Sequence, residues 1–283
     1  MYHINFMAKK KDKTPIISKK NLSKLQVFFI GIFIGLGLYW VPIDHEFSPA
    51  HFTQNEWQSQ PVQSIFTEQF PITLPVIKRE NYVLAYDGRT RNAHFVYHKL
   101  TPEVLDTHIS RETLDFKEDP LIPEHLRATK KDYQGSGFDR GHLCAAADSL
   151  SQTAMEESFF LSNSSPQTPA FNRGFWKKIE NHVRGLTKEY RVVHVFSGPL
   201  YLSSSERDGK QYVKYEVIGP HQVAVPTHFF TLIFVELPTK KMMTKAYIVP
   251  NKAIDPDTPL KKYLASVEEV ESASGIMFTQ ILN

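Results

Sequence analysis

Gly137-Phe138-Asp139-Arg140-Gly141-His142 brings an acid, a guanidinium and an imidazole into four consecutive positions that include Gly141, with Gly137 upstream. Glycine lets backbone turn sharply or come close to a ligand. Imidazole is the side chain whose ordinary pKa suits a general base near neutral pH. A guanidinium two residues away has the planar fork that grips a phosphate oxyanion. These are the parts needed to hydrolyse a phosphodiester. Asp-Arg-Gly-His alone is short enough to arise by accident, so its weight depends on the residues downstream.

Downstream lie Leu161-Ser162-Asn163-Ser164-Ser165-Pro166-Gln167, then Phe171-Asn172-Arg173-Gly174-Phe175-Trp176-Lys177-Lys178-Ile179-Glu180, then Arg184. The spacing predicts a helix from Asn172 to about Tyr190. At about 100° per residue, Phe175, Ile179, Val183 and Leu186 make an apolar stripe. Asn172, Trp176, Glu180 and Arg184, each one i+4 step apart, form a drifting row beside it. An amide oxygen, a carboxylate and a guanidinium therefore line the edge of a buried face. Asn and Glu oxygens are hard donors suited to Mg²⁺, which keeps several waters and takes few protein ligands. The competing reading is structural: Asn172 caps the helix and Glu180–Arg184 is an ordinary i,i+4 pair.

In order, Asp-Arg-Gly-His, Ser-Asn-x-x-Pro-Gln and Asn-x-x-x-Trp-x-x-x-Glu-x-x-x-Arg resemble the motifs of the DNA/RNA non-specific endonucleases of the ββα-metal type. The flanks agree, in Tyr133-x-Gly135-Ser136-Gly137-Phe138 before and Ser197-Gly198-Pro199-Leu200 after. The likeness runs from about Arg79 to the C-terminus. It implies an α+β fold with a central antiparallel sheet and packed helices. It further implies that His142 is the general base, that Asn172 is the direct protein ligand of a single Mg²⁺ (with Mn²⁺ as substitute), and that Glu180 holds metal-bound water. Arg140 and Arg184 are expected to steady the phosphate and Asn163 to support the site; Asp139, the motif's acid, is counted with the catalytic set. Arg111, in Ser110-Arg111-Glu112, is the nearest match to a further arginine used by some members. Nothing in this scheme reads a base, so DNA and RNA are the expected partners without sequence preference.

Among the other histidines, His182, His194, His221 and His228 lack the Cys/His spacing of a zinc site and read as structural or solvated. Cys144 lies two residues from His142, so in a strand the two would share a face. A metal pair there competes with the reading of a small buried residue beside the site. With one cysteine, no intramolecular disulfide forms, and the redox compartment cannot be read from cysteine usage.

Residues 1–26 carry seven lysines and one acid, and 27–43 are almost wholly apolar, ending in Tyr39-Trp40 near the far boundary. This predicts a lysine-rich tail and a short membrane-spanning signal-anchor with an aromatic belt. The rival is a cleaved signal peptide, but no small-x-small site comes promptly after the apolar run. A mitochondrial presequence fits poorly, since no arginine precedes Arg79. Gly31-x-x-x-Gly35 has the spacing of a helix-dimer motif, hence a homodimer through the span, although glycines are common in spans. Lysines stay cytoplasmic, so the folded part is expected outside the cytoplasm: the periplasm in a bacterium, or the mitochondrial intermembrane space in a eukaryote. Residues 44–75 read as a linker and 76–283 as one domain.

Within that domain, Val83–Tyr86 and Ala93–His98 read as a hairpin. Further strands are expected at Val192–Phe196, Tyr212–Ile218, Phe229–Val235 and Ala246–Val249. Helices fit Gln152–Phe159, Pro259–Leu264 and Val267–Ser274. The net charge is +3, but the first 26 residues contribute 7 − 1 = +6, leaving −3 for the rest. Attraction for a polyanion must therefore come from a local patch. Two other functions compete with the nuclease: a catalytically inactive, membrane-tethered nucleic-acid-binding protein, and a phosphodiesterase acting on smaller substrates. The first is favoured where His142 or Asn172 is missing, and both are present.

Overall fold

The structure is a computed structural model and describes residues 74–237 and 242–278. The expected lysine-rich tail, the 27–43 anchor and nearly all of the linker lie outside the described residues, among which no helix is long and apolar enough to cross a membrane. In chain order the strands and helices are β1 (Val76–Lys78), β2 (Tyr82–Asp87), β3 (Asn92–Leu100), α1 (Lys130–Tyr133), β4 (Asp139–His142), α2 (Gln152–Ser158), β5 (Ser164–Gln167) and α3 (Lys177–Gly185). They continue with β6 (Val193–Leu200), β7 (Ser204–Ser205), β8 (Gln211–Tyr212), β9 (Val217–Ile218), β10 (Val223–Ala224), β11 (His228–Glu236), β12 (Met242–Pro250), β13 (Leu264–Ala265) and α4 (Val267–Ser274).

Seven strands form one antiparallel sheet in the order β1-β2-β3-β6-β11-β12-β13. Strand β11, paired on both edges, explains the layering. Side chains alternate across a strand, and its run of apolar residues serves both faces. Phe229, Ile233 and Val235 pack with Phe171, Phe175, Trp176 and Ile179, the leading edge of α3. Phe230, Leu232 and Phe234 pack with Phe196, Val270 and Phe278 on the α4 side. The expected antiparallel sheet with helices against it is present, and the stripe Phe175, Ile179 and Val183 is buried as the helical spacing requires.

A separate two-stranded ribbon joins the two motif segments: β4 pairs with β5 through Asp139↔Gln167, Arg140↔Pro166, Gly141↔Ser165 and His142↔Ser164. Gly141 is required here because a Cβ at that position would lie 2.1 Å from the Gln167 side chain. The chain then passes into α3, so two strands and a helix present the three motifs to one region.

Three expected elements differ. The helix is α-helical only over Lys177–Gly185; Phe171–Trp176 forms a wider π-helical turn, and Leu186–Lys188 tightens into a 3₁₀ turn. One effect is that Trp176 leaves the expected polar row for the core, 1% exposed, while Asn172 stays at the rim. Tyr212–Ile218 is not one strand: its ends join two different two-residue pairings, β7–β8 and β9–β10. Its alternating Val213, Tyr215 and Val217 are 45–52% exposed, so no layer covers the face the pattern would bury. Pro259–Leu264 is a 3₁₀ turn, Leu260–Tyr263, that leads into edge strand β13, with Tyr263 packed edge-on to Phe175.

Candidate active site

His142 ends β4. Its backbone is fixed by the ribbon and by the Trp176 indole N–H, which donates to the His142 carbonyl at 3.0 Å. Its ring sits between Phe116 and Phe159, with centroids at 5.0 and 5.2 Å. Burial, with Arg111 adding to it, pushes the imidazole down to about 4, so the ring is neutral at pH 7. Nε2 is enclosed and has no hydrogen-bond partner among the described residues.

Asp139, at the other end of β4, organises the next residues. Its carboxylate accepts from Arg173 Nε at 2.8 Å and Nη2 at 2.7 Å, a bidentate pair, and from Asn172 Nδ2 at 2.9 Å. Partial burial alone would raise the Asp139 pKa, but these Arg173 and Asn172 bonds hold it below the usual carboxylate range. Committing the Asn172 N–H₂ to a carboxylate fixes which way the amide faces and leaves Oδ1 as the group available to a cation. Asn172 does not play the helix-cap role of the competing reading: it lies inside the π-helical turn, whose flanking residue is Ala170, and its amide nitrogen goes to Asp139.

Glu180 and Arg184 do not form the i,i+4 pair that the spacing suggests. Arg184 Nε donates to Asp148 Oδ1 at 2.7 Å, and its Nη1 donates to Asn181 Oδ1 at 2.9 Å. The other Asp148 oxygen lies 3.3 Å from His98 Nε2, and both side chains are 4% exposed. Glu180 is raised to about 8, first by burial and then by the Asp148 charge, with Arg184 and His98 only partly offsetting this. A half-buried carboxylate held above its ordinary range favours a neighbouring cation, because a cation restores the charged form.

Arg140 lies over Phe116, 5.3 Å from the ring centroid, and only loosely meets Asp115 at 3.8 Å. Asn163 is fully buried and does not reach the cleft. Its Oδ1 accepts from the Cys144 N–H at 2.9 Å, and its Nδ2 donates to the carbonyls of Cys144 at 3.0 Å and Ser158 at 2.9 Å. It holds the chain just beyond His142 from below. Cys144 is also fully buried and meets Asn81 Nδ2 at 3.6 Å.

One cleft of about 900 Å³ is lined by Arg111, His142, Asn172, Arg173, Lys177, Glu180 and Arg184 among others. A neighbouring hollow shares Arg111, His142, Asn172 and Arg173 and adds Asp139 and Arg140. The local positive patch that the charge balance demanded is thus Arg111, Arg140, Arg173, Lys177 and Arg184. His182, His194, His221 and His228 line neither hollow. No group of three or more His, Cys, Asp or Glu suited to a metal occurs among the described residues. The donors that line the cleft, a carboxylate-oriented amide oxygen and a half-buried carboxylate that gains from a cation, fit a hard divalent ion that keeps most of its waters. Residues not singled out from the sequence are Arg173, Lys177, Asp148, His98, Phe116 and Phe159. Arg173, adjacent to Asn172, carried the clearest local signal, a second cation beside a motif acid's partner.

Residues 62–283 match the family model for DNA/RNA non-specific endonucleases. The chain is 47% identical over 201 residues to human "Endonuclease G, mitochondrial", covering 71% of this chain and 68% of that protein. It is 44% identical over 206 residues to "Nuclease C1" of Cunninghamella echinulata var. echinulata, covering 71% of this chain and 81% of that protein. The crystal structure of an EndoG/EndoGI complex superposes with a TM-score of 0.73 at 44% identity, over 76% of this chain and 89% of that one. The chain belongs to the DNA/RNA non-specific endonuclease family. It is accordingly a nuclease, a hydrolase whose substrate is nucleic acid.

Proposed function

We propose that this chain is a divalent-metal-dependent, sequence-non-specific endonuclease that hydrolyses DNA and RNA, with the ββα-metal arrangement of β4, β5 and α3 as its core. The observation that carries this reading is the pairing, in one basic cleft, of a neutral His142 with an Asn172 amide oriented by Asp139. His142 is the general base. With Nε2 enclosed, Nδ1 is the nitrogen assigned to take a proton from the attacking water. Arg140 and Arg184 hold the phosphate, Arg111 and Lys177 extend the positive wall, and Asp139 keeps the Asn172 amide in register. Asn172 Oδ1 would hold one Mg²⁺, or Mn²⁺ in its place, with Glu180 reaching it through water. When bound, such an ion supplies charge neutralisation at the scissile phosphate and its leaving oxygen. All these groups address phosphate rather than base edges, so partial digests of DNA and of RNA should end at all four bases. End mapping that finds cuts confined to one base or one sugar would overturn the reading.

The depressed imidazole gives a pH test. A base with a lowered pKa stays deprotonated to lower pH, so its acid limb moves down from the ordinary 6.5 toward about 4. Measured as kcat/KM at saturating Mg²⁺, which holds Glu180 ionised, the acid limb should fall well below pH 6. A limb at the ordinary histidine value would contradict the burial of the base.

The anchor belongs to the same proposal. Residues 27–43 tether the nuclease to a membrane, the lysine-rich tail stays cytoplasmic and the domain faces away from the cytoplasm. The curated relatives from human, Bos taurus, Caenorhabditis elegans and yeast carry "mitochondrial" in their names, which supports a mitochondrial location if the chain is eukaryotic. Protease added to intact spheroplasts or mitoplasts should digest the domain and spare the tail; a protected domain would reverse the orientation.

A further inference from the structure

We infer that Asp148 is a positioning residue for catalysis: it acts through Arg184 and ties that side chain to the central sheet through His98. This rests on the reading of Arg184 as a phosphate-holding group. Asp148 closes the short turn after β4, is 4% exposed, and belongs to none of the sequence motifs. Its two carboxylate oxygens point to different parts of the fold, one to Arg184 Nε on α3 at 2.7 Å and the other to His98 Nε2 on β3 at 3.3 Å.

A guanidinium has five N–H donors in a rigid plane. Arg184 gives Nε to Asp148 and one donor of Nη1 to Asn181, so its orientation is set by two fixed acceptors. Nη2 and the remaining Nη1 hydrogen stay available for a phosphate on a side chain that is 16% exposed and lines the cleft. A flexible arginine loses rotamer freedom on gripping a phosphate. One already held by a buried acid has lost it on folding, and its charge is in place when the phosphate arrives. The i,i+4 alternative, Glu180, is thereby released from pairing with Arg184 and kept for the cation side of the cleft. His98 makes the arrangement rigid, because it is buried in β3, whose register with β6 holds it in the sheet.

The test is a double-mutant cycle on the full chain, with kcat and KM measured on a short oligonucleotide and folding checked by circular dichroism and thermal melting. Arg184→Ala should lower kcat. Asp148→Ala should lower kcat about 10- to 100-fold, the scale for losing a group that orients a working side chain, with KM little changed. Asp148→Asn keeps a side-chain oxygen for the Arg184 Nε–H but cannot accept from His98, which Cys144 and Asp148 raise to about 10 against the lowering effect of burial, so it should recover only part of that loss. In the Arg184→Ala background, Asp148→Ala should cost nothing more, because the residue it positions is gone. If Asp148→Ala does not fold, Asp148→Ser carries the same cycle. An equal loss in both backgrounds, or a folded Asp148→Ala enzyme with wild-type kcat, overturns the inference while leaving the nuclease reading intact. Full activity of Arg184→Ala instead removes the role given to Arg184, and the inference falls with it.

Discussion

His142→Ala should fold and cleave phosphodiesters about 10²- to 10⁴-fold more slowly than wild type, the usual scale for losing a general base. The fold should survive because the backbone at this position is held independently of the imidazole. Its strand pairs with Ser164, and the Trp176 indole donates to its carbonyl rather than to the ring. The ring's neighbours Phe116 and Phe159 also contact each other, at 5.0 Å, and can close over part of the space. What is lost is the neutral imidazole that lines the cleft beside Asn172 and Arg111. Plasmid cleavage at near wild-type rate by a folded His142→Ala protein would remove His142 from the chemistry.

Asn172→Ala should be comparably damaging. The alanine takes away the only amide oxygen oriented by Asp139 and leaves that carboxylate with Arg173 alone. Losing a group that merely orients a ligand costs about 10- to 100-fold, so losing the direct donor should cost at least that. Chelation of the wild-type enzyme should abolish cleavage, and Mg²⁺ or Mn²⁺ should restore it. Cys144→Ser should retain activity, since the thiol is buried and faces Asn81. Activity of Asn172→Ala at wild-type level would show that the cation sits elsewhere.

The residues of the site were legible wherever chemistry and local spacing coincide. Asp139, Arg140, His142, Asn172, Glu180 and Arg184 come from short segments whose residue types suit phosphate and a hard metal, and they meet at one pair of adjoining hollows. The continuous apolar run Phe229–Val235 and the stripe Phe175, Ile179 and Val183 likewise report the burial they acquire. Asp148 and His98 were not legible, because they lie 36 and 86 residues before Arg184 and their pairing depends on how the turn after β4 meets the sheet and α3. The sequence pattern also suggested a Glu180–Arg184 pair, which a more buried acid takes over. Tyr212–Ile218 misled for the opposite reason: its alternation is real, but no partner layer exists to use it. The π-helical turn at Phe171–Trp176 escaped an i+4 reading because a wider turn shifts every later residue in the row.

If one divalent ion is held through Asn172 beside the His142 base, electron paramagnetic resonance of bound Mn²⁺ counts it. The expected result is one ion per wild-type chain, one in Cys144→Ser, one in His142→Ala despite its lost activity, and a sharply weakened or absent signal in Asn172→Ala. Undiminished Mn²⁺ binding by Asn172→Ala, or its disappearance in Cys144→Ser alone, would contradict it.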